Sequence, residues 1–427
     1  MPYENCESCR KCFPCPITNV EKTEGAYPIA QNTGNEWFCT SCFFCEDICP
    51  DYSPRQYAIE KRRQKDQTSD LMIEPLDKLK ISGTIFPISQ EVNIFRVDMG
   101  LPVLPEANSS EIRTIYDTIL SLSEQSNFVL RHLPQMKKTQ VILFQDNIAE
   151  IALFLGCLIP YRVFDYELSA RNILNKLHLK VLDLPFACCG SIMTESQSSL
   201  LWLVSAAYNL ALAEEAGQKV LITLCGGCTG NLRRVNDHLK DNPLLLKKVN
   251  EYLSKINKKY SGSIEILHLT EFLLLPNQKS KLKELINYER SLDLIRLTAA
   301  VQIPCQIIRP KESSPNADLG SRLLTDLLDL TSIKTVKFPY ETLCCGSSML
   351  LYDKTIAYRI AKKRIDSLIK KKVDMLILGC GNCSMNYTVH QSSYSAIKLP
   401  TFFFSEILDY ALNGTNDNLA KLLLEKK

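Results

Sequence analysis

The sequence predicts an α+β protein: a small helical, cysteine-rich front, then two duplicated α/β subdomains, each on a mostly parallel sheet. Three observations carry that expectation. The 427 residues hold 18 cysteines, and these fall into four groups with none left over. The third and fourth groups are one pattern written twice: a single cysteine, a Cys-Cys-Gly, then CxxC, with corresponding cysteines 148 to 156 residues apart. Within each copy, short apolar runs alternate with longer segments of helical period, as βαβ units do. The boundaries expected from this reading are 1–66 for the front, 67–139 for a connector, 140–290 for the first copy and 291–427 for the second.

In the front, Cys39, Cys42, Cys45 and Cys49, followed by Pro50, match the CxxCxxCxxxCP run of bacterial ferredoxins. Three close thiolates of such a run hold one [4Fe-4S] cubane and the fourth reaches the other. The first group, Cys6, Cys9, Cys12 and Cys15 before Pro16, is one residue shorter in its last interval. By the same exchange, Cys6, Cys9, Cys12 and Cys49 are expected on one cubane, and Cys39, Cys42, Cys45 and Cys15 on the other. A zinc knuckle is the alternative for the first group, because closely spaced CxxC pairs also suit tetrahedral zinc. The expected unit is a ferredoxin-like domain with two cubane clusters.

The connector has no cysteine and is interrupted by Pro75, Pro87, Pro102 and Pro105. One helix is expected, Ser110 to Leu122, with Ile112, Ile115, Tyr116, Ile119 and Leu120 as its apolar stripe behind a serine cap. Its expected role is to brace the front against the copies.

In the first copy, Ile151–Leu155, Val181–Leu184 and Val220–Leu224 read as strands, with helices over Glu167–Leu177 and Ser199–Ala216. In the second, the strands are Ala299–Ile303, Ile333–Phe338 and Val373–Leu378, with helices near Leu319–Leu330 and Thr355–Lys371. Every cysteine group follows an expected strand. Loops at the carboxyl ends of parallel strands gather on one side, so Cys157, Cys188, Cys189, Cys225 and Cys228 should converge on one metal site. Cys305, Cys344, Cys345, Cys380 and Cys383 should converge on a second. Zinc and a regular cubane each take four thiolates; five imply either a spare thiol or an unusual cluster with bridging thiolates. Buried Cys-Cys pairs acting as small hydrophobes would explain one pair but not two registered sets of five.

Several functions are disfavoured. Fifty basic against 47 acidic residues give a net charge of +3, too little to attract nucleic acid or an anionic membrane. The most apolar stretches, Ile151–Tyr161 and Leu200–Ala213, fall short of the roughly 20 residues a bilayer span needs. The start shows no signal-peptide pattern, so a cytoplasmic, reducing location is expected, with any membrane contact made through a partner. There is no GxGxxG and no GxxxxGK[ST], so electrons must come from another protein. His132, His178, His238, His268 and His390 show no metal spacing.

Certain segments are similar to known proteins. Gly156-Cys157-Leu158-Ile159-Pro160-Tyr161-Arg162, Cys188-Cys189-Gly190, the Asn209–Gly217 helix and Leu224-Cys225-Gly226-Gly227-Cys228 resemble the B subunit of heterodisulfide reductases. Pro304-Cys305, Arg309-Pro310, Cys344-Cys345-Gly346, Cys380-Gly381-Asn382-Cys383 and Leu399-Pro400-Thr401-Phe402 resemble its second half. Residues 1 to about 125, with Gly100-Leu101-Pro102, are similar to the C subunit, and the order matches the fused D subunit. Gln302 and Gln306 stand where family members often carry histidine. The resemblance implies one noncubane [4Fe-4S] cluster per five-cysteine set and reductive cleavage of a disulfide such as a CoM-S-S-CoB-type heterodisulfide. It also implies an electron-donating partner, a flavoprotein or a membrane cytochrome, and makes Arg162 and Arg309 candidate anchors for an anionic thiol substrate. The same layout resembles iron-sulfur subunits of glycolate, lactate and glycerol-3-phosphate dehydrogenases and of some fumarate reductases, in which a flavoprotein is the catalyst. Two complete sets of five favour the first reading.

Overall fold

A computed structural model describes residues 14–31, 33–49, 53–64, 70–121, 148–414 and 416–425. The expected ligands Cys6, Cys9 and Cys12 lie outside the described residues, as do residues 122–147.

The two copies fold alike. In the first, strands β1 (Glu150–Phe154), β2 (Lys180–Leu182), β3 (Val220–Thr223) and β4 (Glu265–His268) form a parallel sheet in the order β2-β1-β3-β4. In the second, β5 (Thr298–Gln302), β6 (Lys334–Val336), β7 (Met375–Leu378) and β8 (Thr401–Phe403) repeat it as β6-β5-β7-β8. The inner strands β1, β3, β5 and β7 are buried along almost their whole length, because helices cover both sheet faces; hence their unbroken apolar runs. Strand order reverses between β1 and β3, and between β5 and β7. That is where the crevice of an open parallel sheet lies, and Cys157 and Cys225, or Cys305 and Cys380, leave these strands.

The fourth strand of each sheet was not foreseen. Glu265-Ile-Leu-His268 and Thr401-Phe-Phe403 are only four and three residues long, and the first carries a glutamate and a histidine, so neither shows a strand pattern. Both lead directly into a helix whose third residue is glutamate. Glu271 Oε2 accepts from the His268 amide at 2.9 Å and Glu406 Oε2 from the Phe403 amide at 2.6 Å, satisfying a donor that the helix start would otherwise leave unpaired.

Other expected elements match within a few residues, with three corrections. The connector holds two helices before the expected one, Asp70–Ser82, which keeps Pro75 within it, and Gln90–Asp98. The expected helix runs Ser109–Leu120 and its cap is Asn108, whose Oδ1 accepts from the Glu111 amide at 3.3 Å; serine is not the cap. The single helix expected near Leu319–Leu330 is a short helix, Arg322–Leu328, between two 3-10 turns. Gly320, at φ 52°, breaks the path before it.

The first copy's Phe164–Lys176 helix packs on the second copy's Phe404–Asn413 helix. Tyr166 stacks on Phe403 with ring centroids 4.0 Å apart and donates to the Gly379 carbonyl at 3.2 Å. The connector seats on the first copy through Arg96 and Glu167, an ion pair at 2.7 Å with neither side chain exposed. The front seats on both copies. Arg55, Arg62 and Arg63, on the Pro54–Gln64 helix, bond Glu195, Ser196 and the Glu195 carbonyl. Toward the second copy, Ser348 Oγ donates to the Thr40 carbonyl at 3.1 Å, and Arg309 lies 3.4 Å from Asp47.

Candidate metal centres

Each five-cysteine set converges as the strand order requires. Cys157 follows β1, Cys188 and Cys189 follow β2, and Cys225 and Cys228 follow β3. Cys189 and Cys228 sulfurs are 3.5 Å apart. Side-chain hydrogen bonds join Cys157 to Cys188, and Cys225 to Cys228. The second set is linked in the same way, Cys305 to Cys344, Cys345 to Cys383 and Cys383 to Cys380. The first cysteine of each set, Cys157 or Cys305, is half-buried, and the other four are buried. Gly190 and Gly346, at φ 73° and 81°, end each Cys-Cys-Gly in a left-handed turn that other residues rarely adopt.

The two sets meet. Cys225 Sγ lies 3.9 Å from Cys380 Sγ, and the Gly226 amide donates to Cys380 Sγ at 3.3 Å. This approach explains the glycine after Cys225: a Cβ there would lie 2.5 Å from Pro304 Cβ, the residue before Cys305. The Gly226→Ala variant is therefore expected to force the two copies apart, costing about 1–3 kcal/mol as overpacking does. Denaturant unfolding checks it; an unchanged midpoint would mean the seam is looser than it is here.

The front adds a third group. Cys15, Cys39, Cys42 and Cys45 line one small cavity with Ala26, Ile29 and Pro54, so the cysteine that ends the first motif stands beside three of the second. Cys49 is half-buried at the end of the Phe44–Ile48 helix. Cys42 is hydrogen-bonded to Cys344, which pushes its thiol well above the ordinary range. The front group thus abuts the second five-cysteine set.

These thiols suit cluster binding by their chemistry. Burial pushes Cys15 up to about 11 and Cys45 well above its ordinary value. Cys188, Cys345 and Cys380 go the other way, held low chiefly by hydrogen bonds from Cys157, Cys344 and Cys225 respectively. Burial and neighbouring sulfurs resist ionisation of most of these thiols, and a cationic iron core would remove that repulsion and stabilise them as thiolates. Among the described residues no three His, Cys, Asp or Glu side chains close on a point as a single metal ion requires.

Two supporting residues escaped the sequence reading. Asn231 Nδ2 donates to the Cys189 carbonyl at 2.7 Å, and Asn386 Nδ2 to the Cys345 carbonyl at 3.0 Å. Each lies three residues after the last cysteine of its set, one helical turn on, so CxxCxxN in both copies was the available signal. Of the two arginines proposed as anchors, Arg309 donates to the Thr342 carbonyl at 2.6 Å and stands 5.1 Å from the Phe44 ring, beside Asp47. Arg162 is exposed, beside the Tyr161 ring.

Residues 151–233 and 299–387 match the cysteine-rich CCG domain. A protein of Archaeoglobus profundus described as similar to the B subunit of heterodisulfide reductase is 31% identical over 239 residues, 54% of this chain and 78% of that protein. The chain belongs to the family of heterodisulfide reductase B subunits and their relatives. The B subunit of the ferredoxin:CoB-CoM heterodisulfide reductase of Methanosarcina mazei is 29% identical over 282 residues, 63% of this chain and 91% of that protein. The membrane anchor of the 8-methylmenaquinol:fumarate reductase of Wolinella succinogenes is 26% identical, over 63% of this chain and 96% of that protein. Family membership makes this an iron-sulfur oxidoreductase that transfers electrons, and its relatives are subunits of larger reductases. Among the described residues no helix is long and apolar enough to cross a membrane.

Proposed function

We propose that this heterodisulfide reductase-like chain is the disulfide-reducing component of a complex: a C-like front on a B-like body. In this reading the front holds two cubane clusters, on Cys6, Cys9, Cys12 and Cys49 and on Cys39, Cys42, Cys45 and Cys15. Each five-cysteine set holds one noncubane four-iron cluster. The overall reaction balances as one disulfide, two electrons and two protons giving two thiols, with the electrons supplied by a partner flavoprotein or membrane cytochrome. The clusters, when bound, supply single-electron transfer and a Lewis-acidic partner for sulfur.

The observation that carries the proposal is the seam between two complete thiol sets, with Cys225 and Cys380 3.9 Å apart. A disulfide needs two electrons and cubanes deliver them singly, so two sites flanking one S–S bond fit the stoichiometry. The residues of the chain hold that geometry. Gly226 and Pro304 bring the copies together, Asn231 and Asn386 hold the Cys-Cys-Gly turns, and burial of the cysteines excludes water. The front, joined to the second set at Cys42 and Cys344, supports an entry of electrons at that set. Arg309 is occupied with docking the front, which leaves Arg162 as the candidate for an anionic end of the substrate. The proposed location is the cytoplasm, at the membrane through a partner.

Anaerobic purification with iron determination, then paramagnetic resonance during titration with thiols and disulfides, tests this. About sixteen irons per chain, four per cluster, and a signal that depends on added thiol are expected. Roughly eight to twelve irons with no thiol response would overturn it, in favour of an electron conduit serving a flavin-dependent dehydrogenase or a fumarate reductase.

A further inference from the structure

The duplicated thiol sets differ in one buried charge. Arg364 lies on the Lys354–Lys370 helix that follows the second Cys-Cys-Gly, and only 2% of it is exposed. Its Nη1 donates to the Leu343 carbonyl at 3.3 Å and to the Tyr387 hydroxyl at 2.9 Å, and Cys344 and Cys345 are its electrostatic neighbours. Tyr387 in turn donates to Gln302 Oε1 at 3.0 Å, so the guanidinium is held by neutral groups. Among the described residues no carboxylate stands within ion-pair distance of it.

The first set has no such charge. On the matching helix, Ser199–Glu215, the corresponding side chain is Asn209, whose Oδ1 accepts from the Ala187 amide at 2.8 Å. The arginines paired beside that set are neutralised. Arg234 and Arg55 share Glu195, Arg55 also faces Glu46 at 3.7 Å, and Arg233 pairs with Glu271 at 2.6 Å. Those pairs leave no net charge; Arg62 of the front, held by the Ser196 hydroxyl and the Glu36 carbonyl, acts on Cys39 of the front, and Arg63 faces Glu195 and Glu60.

A buried, uncompensated cation favours the more negative, reduced state of any redox group beside it, and net charge and hydrogen bonding set cluster potentials. We infer that Arg364 makes the second five-cysteine set the more readily reduced of the two, so that an electron arriving past Cys42 and Cys344 resides there first. The inference rests on the reading that each set holds an iron-sulfur cluster, and not on which disulfide is reduced.

The test is an anaerobic redox titration of the full chain, without disulfide, followed by paramagnetic resonance. Two midpoints are expected for the two sets. Arg364→Met should lower the higher one by a roughly tenfold change in the one-electron equilibrium, about 59 mV, and leave the lower one in place. Arg364→Lys should restore it. Arg364→Gln keeps a donor for the Leu343 carbonyl but loses the charge, so it should repeat the shift if the methionine variant does not fold. A neutral variant that leaves both midpoints unmoved, or moves both equally, overturns the inference. Protein that carries iron and shows the shift, yet never responds to a thiol, defeats the disulfide reading alone; absence of iron from the second set defeats both.

Discussion

The Cys380→Ser variant is expected to lose disulfide reduction altogether, with about four of sixteen irons missing and the thiol-dependent paramagnetic signal gone. Cys380 is the thiol through which the second set meets the first. It is 3.9 Å from Cys225, accepts the Gly226 amide, and is held low by hydrogen bonds from Cys225 and then Cys383. Serine preserves the size of the side chain but is a poor ligand for iron. The fold should survive, because the β7 backbone and the Phe404–Asn413 helix do not depend on that sulfur. Iron content, turnover with an artificial electron donor and far-ultraviolet circular dichroism together check this. Full iron and full activity in a folded variant would place the reaction elsewhere.

The Glu195→Gln variant is expected to cost about 3–5 kcal/mol, as removing one partner of a buried ion pair does, and to release the front from the first copy. Glu195 is 3% exposed and pairs with Arg234 at 3.0 Å and with Arg55. Around these lie Phe43, 4.0 Å from Arg55 and 4.6 Å from Arg234, and Trp202, 4.8 Å from Arg234. Burial alone would push this carboxyl up, but Arg234 and Arg55 outweigh it and hold the group far below the usual carboxylate range. A carboxyl depressed on folding contributes stability that is complete above its unfolded value near 4.3 and is lost as pH falls toward its folded value. The wild-type docking contribution should therefore be flat from neutral pH down to about 4 and decline below it, whereas the variant should lack it throughout. Denaturant unfolding at several pH values checks both statements. A variant that unfolds like the wild type at neutral pH would mean that the front is held by other contacts.

The five-cysteine sets were legible in the sequence because their registers repeat: two occurrences of Cys, Cys-Cys-Gly and CxxC cannot be explained by packing alone. The inner strands were legible for a related reason, since burial on both faces leaves uninterrupted apolar runs such as Val220–Thr223. The outer strands β4 and β8 were not, because three or four residues capped by a helix start carry too little periodicity. Asn108 took the cap expected of a serine, as either side chain can accept from the first turn. Asn231 and Asn386 were hidden because a single asparagine has many uses, and only its aim at a Cys-Cys-Gly carbonyl singles it out.

By itself the sequence determined that the cysteines group as four, four, five and five, and that the body is a duplication. Ligand chemistry is local: thiolates at short spacings commit the chain to metal before any packing is known. Only the tertiary structure decided how the groups face each other. It joined Cys15 to Cys39, Cys42 and Cys45, set Cys42 against Cys344 and brought Cys225 to Cys380. It also left Arg364 without a counter-charge while pairing Arg233 and Arg234, near the first set, with Glu271 and Glu195. Those relations depend on contacts from about 20 to 300 residues apart in the chain, where side-chain packing rather than sequence spacing fixes distance and charge.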